Sequence, residues 1–484
     1  MIEELFRILF PFILIANVCF AITVVFFERK NPTATVAWLM ALIFAPVIGF
    51  LLYIIVGQNF HRERMFRIKK EDDQKLLTLM ESQKKELRSL ETDPSDSLTR
   101  SYIRMVLMLI ENNRSELTDD NQIRVFIDGN DKFAALLQAI KGARDHIHLE
   151  YYILKDDEIG NEVFAALSER ARAGVEVRFL GDGLGCSGPK KQFFEEYLKS
   201  GGKLVFFFPS WWKALNPRVN YRNHRKIAVI DGKTGFVGGF NIGDDYLSRI
   251  PEWAPWRDTG VQVDGSAVRS MQMRFFLDWN YAAPDNQIEV ESRYFPKIDL
   301  PHGRLVQLVS GGPDTPWNPI KESYLKLISN ATDSVYIQTP YFIPDDSIMD
   351  ALRIAALSGV DVRIMMPGKP DHPFVYWAGY SYLGQLLDSG LKAYTYDTGF
   401  IHAKTIVVDE VACSIGSANW DVRSFRLNFE TNVITYSPDI AKELKNAFIK
   451  DLSYCTEMTP ERYAALPLKI KLKQSISRLF SPLL

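Results

Sequence analysis

Four stretches of this 484-residue chain recur, in the same order, farther along it, and that duplication limits the fold more than any other feature. ARDHIHLEYYILKDD from Ala143 resembles ATDSVYIQTPYFIPDD from Ala331, and AGVEVRFL from Ala173 resembles SGVDVRIM from Ser358. LKSGGKLVFF from Leu198 parallels LLDSGLKAYTY from Leu386, and HRKIAVID from His224 matches HAKTIVVD from His402. One such similarity is commonplace, whereas four in register define two homologous halves, expected over residues 121–295 and 296–466. Each half alternates short apolar runs with helix-prone segments, which predicts an α/β fold. Ile227 to Ile230 reads as a buried strand of a mostly parallel sheet.

The last matched pair carries chemistry. Both copies obey H-x-K-x4-D: His224, Lys226 and Asp231, then His402, Lys404 and Asp409. The chain has only seven histidines, so two such matches by composition alone are on the order of one in several thousand. Alternate residues of a strand share a face, so each histidine and its lysine point the same way, and the aspartate, at odd spacing, is aimed elsewhere. The flanks agree: in both copies a glycine stands seven residues after the aspartate and an asparagine ten after it, Asn241 and Asn419. Acids recur farther on, Asp258 in WRDTGV and Glu430 in LNFET. If the halves pack face to face, two histidines, two lysines and two asparagines converge on one pocket. Ammonium and amide groups suit the nonbridging oxygens of a phosphodiester. One neutral imidazole can attack phosphorus while the other, protonated, donates to the leaving oxygen. Asp258 and Glu430 are candidates for orienting the rings by accepting their second N–H. The scheme calls for no metal or other cofactor, and the sequence has no cluster of carboxylates to bind one.

The paired motif resembles the phospholipase D superfamily, with two HKD motifs in one chain, over about Asn121 to Tyr454. IVGQNF, WRDTGV, SGGPD, PDHPFVYW and the terminal SPLL, behind an apolar amino-terminal hairpin, further resemble the bacterial cardiolipin synthases. That resemblance implies two phospholipase D-like α/β halves with the active site between them. It implies transfer of a phosphatidyl group from one phosphatidylglycerol to another through a phosphohistidine, giving cardiolipin and glycerol. It also implies that Asp231 and Asp409 support the site rather than touch substrate, and it favours His224 as nucleophile. His372, in PDHPFVYW, becomes a candidate for the pocket wall. The first copy has Gly238-Gly239 where the second has Gly416-Ser417, so a phosphate contact from Ser417 would have no counterpart in the first half. The motifs equally fit a phospholipase D, or another phosphatidyltransferase, whose acceptor is water or a different alcohol. A noncatalytic membrane scaffold is the alternative from outside enzymology, and the presence of all six motif residues counts against it.

Two apolar runs precede the halves, Ile8 to Phe27 and Thr33 to Val56, each long enough to cross a bilayer as a helix. Residues 1–60 are therefore expected to form a two-helix transmembrane hairpin that anchors the chain in a bacterial cell membrane. Arg62, Arg64, Arg67, Lys69 and Lys70 follow the second run, which by the positive-inside rule puts the downstream part in the cytoplasm. Residues 61–120 read as a charged helical linker. Residues 467–484 read as a basic amphipathic tail suited to anionic lipid. Basic and acidic residues nearly cancel, 57 against 59, which argues against a nucleic-acid partner. Four scattered cysteines indicate neither a disulfide framework nor a zinc site. The expected partners are phosphatidylglycerol and anionic membrane lipid; the sequence carries no signal of oligomeric state.

Overall fold

A computed structural model describes residues 2–26, 32–53, 97–208, 220–298 and 300–481. The chain falls into two compact units, Met1–Glu71 with Ser210–Tyr221, and Asp72–Pro209 with Arg222–Leu484. The basic cluster Arg62 to Lys70 lies outside the described residues, as does most of the aromatic stretch around Trp211.

In the first unit the helix Ile2–Phe26 contains an apolar segment, Leu9–Phe26, long enough to cross a membrane. The second apolar run is not the single helix expected from its composition. It divides into Pro32–Phe44 and Pro46–Leu52, and its last residues lie outside the described ones. Pro46 causes the break, because it has no N–H to give the carbonyl of Leu42 four residues earlier. Asn17, a buried polar residue of the first helix, supplies the missing donor: its Nδ2 reaches the carbonyls of Leu42 at 3.2 Å and Pro46 at 2.9 Å. Gly49 permits the bend, since a Cβ there would lie 2.3 Å from the carbonyl oxygen of Ala41. Val24, Leu42 and Tyr53 then pack together with Phe20 and Trp38.

In the second unit both halves contribute to one mixed sheet of sixteen strands among the described residues. The first half runs Lys203–Phe207, Glu176–Asp182, His146–Tyr151, Ile227–Ile230, Thr234–Gly238, Gly260–Asp264 and Thr118–Phe126. The second half repeats that order as Lys392–Tyr396, Asp361–Pro367, Ser334–Gln338, Thr405–Val408, Ala412–Gly416, Asn428–Thr435 and Arg304–Gly311. The two halves join edge to edge where Thr118–Phe126 pairs antiparallel with Arg304–Gly311. Lys203–Phe207, Glu176–Asp182 and His146–Tyr151 are parallel to one another, as are Lys392–Tyr396, Asp361–Pro367 and Ser334–Gln338, beyond which Cys455–Met458 adds an antiparallel edge; Ile227–Ile230 pairs antiparallel on both sides. The expectation of a mostly parallel sheet missed this because an apolar run reports burial on two faces and not strand direction. Asp231-Gly232, both at positive φ, make the tight turn that sends the next strand back beside the first. Within the stretch expected as a linker, Ser97–Asn113 form a core helix, with Tyr102, Ile103, Met105, Val106, Leu109 and Ile110 buried against Tyr324 and Leu327 of the second half.

The two motif aspartates occupy equivalent turns. The Asp231 carboxylate accepts the backbone N–H groups of Arg144, Asp145 and His146, and that of Asp409 accepts those of Thr332, Asp333 and Ser334. Each therefore fixes the start of the strand next to its own histidine strand. Charge-assisted hydrogen bonds of this kind contribute about 1.5–3 kcal/mol apiece. Asp231→Ala is expected to cost roughly 3 kcal/mol or more of stability, read as a lowered thermal unfolding temperature of the purified chain in detergent. An unchanged unfolding temperature would remove the turn-fixing role.

Candidate active site

Both histidines sit just before their strands, where the chain crosses from its own half to the other. Arg222–Asn223, leading into His224, pairs parallel with Asn428–Thr435, and the His224 N–H donates to the Phe429 carbonyl at 2.9 Å. Phe400–Ile401, leading into His402, pairs parallel with Trp256–Arg257, and the His402 N–H donates to the Arg257 carbonyl at 2.7 Å. These reciprocal crossings set each ring against a carboxylate from the opposite half. His224 Nδ1 lies 2.9 Å and 3.0 Å from the two Glu430 oxygens, and His402 Nδ1 lies 2.6 Å from Asp258 Oδ2. A carboxylate only accepts, so Nδ1 carries the proton and Nε2 of a neutral ring is left as the basic, nucleophilic nitrogen. Lys226 and Lys404 donate to the carbonyls of His224 and His402, which ties each ammonium to its own histidine.

The whole constellation is buried; among these residues the two histidines are the most exposed, at 9 % and 8 %. Burial penalises charge and sets the titration of every group here. It lowers His224 below the ordinary imidazole value, against the pull of Glu430. It lowers His402 to about 4, with Lys404 adding to the effect and Asp258 opposing it. Lys226 falls to about 7 and Lys404 to about 8, again mainly through burial. Burial alone would raise both carboxylates, but His402 and Lys404 hold Asp258 below its ordinary value, and His224 and Lys226 do the same for Glu430. Two ammonium groups against two carboxylates leave the empty pocket near neutral. A phosphodiester adds one negative charge, and protonation of one imidazole restores the balance.

Of the residues that the sequence singled out, the two histidines, the two lysines, Asp258 and Glu430 come together, whereas Asp231 and Asp409 stand in the turns beyond the histidine strands. Asn241 donates through Nδ2 to Tyr246 Oη at 2.6 Å and accepts the Ile153 N–H at 3.0 Å. Asn419 is also buried, and its Oδ1 has no hydrogen-bond partner among the described residues. Ser417 Oγ donates to Glu430 Oε2 at 2.5 Å, which aims the hydroxyl at the carboxylate that orients His224 rather than at a phosphate. At the equivalent Gly239 a Cβ would stand 2.0 Å from Asp258 Oδ1, so the shorter carboxylate fills that space itself. His372 is exposed and precedes the helix Pro373–Leu386; its neighbour Asp371 is the one whose charge reaches Lys404.

Sequence reasoning missed two buried arginines. Arg225 donates to the Glu430 carbonyl, the Thr431 hydroxyl and the Gly311 carbonyl, and pairs with Asp278 at 2.6 Å. Arg257 donates to the Asp258 carbonyl and the Thr259 hydroxyl, and pairs with Asp451 at 2.9 Å. Each arginine thus grips the acid-Thr dipeptide that orients one histidine. The signal was present in WRDTGV and HRK, but read on its own an arginine beside a motif looks like surface charge.

Comparisons with known proteins point to one family. The family described as "Cardiolipin synthase, PLD-like domain" matches residues 136–255 and 324–452, one match per half. Residues 15–58 match the family described as "Phospholipase_D-nuclease N-terminal". The chain is 48% identical to the "Major cardiolipin synthase ClsA" of Bacillus subtilis over 99% of both chains. The chain belongs to the PLD-like cardiolipin synthase family. It is also 46% identical to a cardiolipin synthase of Staphylococcus aureus, over 97% of this chain and 95% of that one. A solved phosphatidylserine synthase from Haemophilus influenzae superposes with a TM-score of 0.58 at 15% identity, over 79% of this chain and 98% of that one, and shares the fold.

Because Lys226 and Lys404 titrate near neutrality when the pocket is empty, an anionic ligand should raise both. Binding of glycerophosphoglycerol, the headgroup without acyl chains, is expected to take up protons at pH 8. Calorimetric heats in buffers of different ionisation enthalpy measure that uptake, and Lys404→Met should diminish it. Proton release on binding would contradict the assignment of the lysines as the anion's counter-charges.

Proposed function

We propose that this chain is a cardiolipin synthase that joins two phosphatidylglycerol molecules and releases glycerol. The observation that carries the reading is the reciprocal pair of dyads, His224–Glu430 and His402–Asp258, with a lysine beside each ring. Two imidazoles with fixed tautomers allow one to bond to phosphorus while the other moves protons. His224 Nε2 attacks the phosphorus of the first phosphatidylglycerol, and the P–O bond to its free glycerol breaks. The departing oxygen takes a proton from the His402 imidazolium, so glycerol leaves neutral. His402, now neutral, accepts the proton of a hydroxyl on the second phosphatidylglycerol. That oxygen displaces His224 from phosphorus, which frees cardiolipin and restores the nucleophile. Lys226 and Lys404 stabilise charge on the nonbridging oxygens throughout.

Burial and Lys404 lower His402 to about 4, so its imidazolium gives up a proton readily, as an acid toward a poor leaving group must. Asp231 and Asp409 hold strand starts, and Asp258, Glu430, Ser417, Arg225 and Arg257 act as positioning residues through the two rings.

Purified chain given phosphatidylglycerol alone should yield cardiolipin and glycerol in equal amounts; phosphatidic acid as the main product would make water the acceptor instead. With a phosphatidyl-nitrophenol substrate, whose leaving group needs no acid, His402→Ala should still release a burst of nitrophenol while failing on phosphatidylglycerol. His224→Ala should fail on both. The reverse pattern would exchange the roles.

We further propose that residues 1–60 form a two-span hairpin, with the second crossing kinked at Pro46, and that the catalytic unit faces the cytoplasm. Both substrates are membrane lipids, so an anchored enzyme meets donor and acceptor in one bilayer, and the basic residues after the second run favour the cytoplasmic side. Protease added outside intact spheroplasts should leave the catalytic unit uncut. Ready cleavage there would reverse the topology.

A further inference from the structure

The helix Leu468–Leu479 packs inside out. It lies along the helix Pro373–Leu386 and buries Gln474 and Ser477, whereas Leu468, Leu472, Ile476 and Leu479 are 51–80 % exposed. At 3.6 residues per turn those four side chains fall within about 80° of one another, opposite the buried polar side. A helix covering a soluble core shows the reverse arrangement.

The inverted seating has specific contacts behind it. The Tyr463 hydroxyl donates to Gln474 Oε1 at 3.0 Å. Lys473 lies 5.2 Å over the Trp377 ring and Arg478 lies 5.4 Å over that of Tyr382. The Phe480 ring meets Phe374 at 5.8 Å, and both remain about half exposed, which carries the apolar surface onto the neighbouring helix. Helical spacing puts Lys469 and Lys473 along one border of the stripe and Lys471 and Arg478 along the other.

We propose that this face is a docking surface for an anionic lipid bilayer, with the leucines and isoleucine among the upper acyl chains and the basic borders at lipid phosphates. The inference deepens the reading of the chain as a phosphatidylglycerol-using enzyme and rests on it for the lipid's charge. A second copy of the chain fits the face poorly, since pairing two stripes would set basic borders against basic borders. A bilayer supplies both the apolar interior and the anionic surface. Held there, the helix would add a contact to the membrane beyond the amino-terminal segment and fix how the catalytic unit stands over the lipid that it consumes.

The full chain carrying Cys19→Ser and Ile476→Cys, labelled with an environment-sensitive fluorophore, tests the surface after reconstitution into vesicles. In phosphatidylcholine mixed with phosphatidylglycerol, quenchers on the upper acyl chain should reach the label and aqueous iodide should not. Phosphatidylcholine alone should give weaker lipid quenching. Free access of iodide in the mixed vesicles overturns the proposal, and so does shielding from both quenchers, which would mean that protein covers the face. In a second arm, Leu472→Glu with Ile476→Glu should lower transfer in phosphatidylglycerol vesicles about tenfold while leaving transfer on monomeric short-chain phosphatidylglycerol within about twofold. An unchanged ratio of the two rates overturns the proposal. If the unaltered chain makes no cardiolipin from either substrate, the functional reading fails, and the label still decides the docking.

Discussion

Each histidine of the candidate site is held by a carboxylate that belongs to the other half, and the rest of the catalytic unit is arranged around that exchange. His224 depends on Glu430 and His402 on Asp258, so neither half alone contains a complete dyad. The same crossings carry the backbone, since each histidine's N–H donates to a carbonyl of the opposite half. The continuous sheet makes the exchange rigid. Its edge-to-edge joint between Thr118–Phe126 and Arg304–Gly311 fixes the halves relative to each other. Arg225 and Arg257 then fix the acid-Thr dipeptides from inside, each neutralised by an aspartate on a helix of its own dyad's surroundings. Removing one member of a buried ion pair typically costs about 3–5 kcal/mol, because the other charge is left uncompensated. Most of these side chains are therefore constrained by stability as well as by chemistry.

Burial of so many charges is costly, and the site contains that cost by near cancellation. The two lysines fall toward neutrality, and the two carboxylates stay ionised only because imidazoles and ammonium groups stand beside them. A pocket balanced in this way accepts one more negative charge together with one proton. That combination is what a phosphodiester and a general acid require. On the proposed reading, the lysines gain charge as the anion arrives, and a proton on His402 serves the leaving glycerol.

Much of this was legible in the sequence, for identifiable reasons. A duplicated motif with fixed spacing survives as a pattern of letters, so the halves, the triads, and Asp258 and Glu430 as ring partners all followed from it. Strand direction did not, because an antiparallel and a parallel strand buried on both faces have the same apolar run. The helix Ser97–Asn113 is hidden in the charged linker expected over residues 61–120, since the partner for its apolar side lies some two hundred residues away. The break at Pro46 does not enter the reading of the second run, which composition alone makes continuous. Only the fold brings Asn17 to the carbonyl that Pro46 leaves without a donor. Arg225 and Arg257 escaped for the same reason: their partners Asp278 and Asp451 are distant in sequence, and no spacing rule connects them.

The differences between the halves are coupled rather than scattered. Where the second half has Ser417 and the long Glu430, the first has Gly239 and the short Asp258. The missing hydroxymethyl group is what admits the Asp258 carboxylate, because a Cβ at Gly239 would stand 2.0 Å from its oxygen. In the other half Glu430 stands off far enough for Ser417 to donate to it. Side-chain lengths thus compensate across two positions, and both arrangements end with a carboxylate oxygen about one hydrogen bond from an imidazole Nδ1. What does not compensate is the electrostatics. Glu430 spreads its charge over His224 and a serine hydroxyl, whereas Asp258 reaches His402 from beside its own backbone N–H contact to Thr259. A duplicated fold supplies two equal histidines, yet phosphatidyl transfer needs one that bonds to phosphorus and one that moves protons. These paired substitutions surround two similarly oriented rings with different hydrogen-bond partners, the Ser417 hydroxyl for Glu430 and the Thr259 N–H for Asp258.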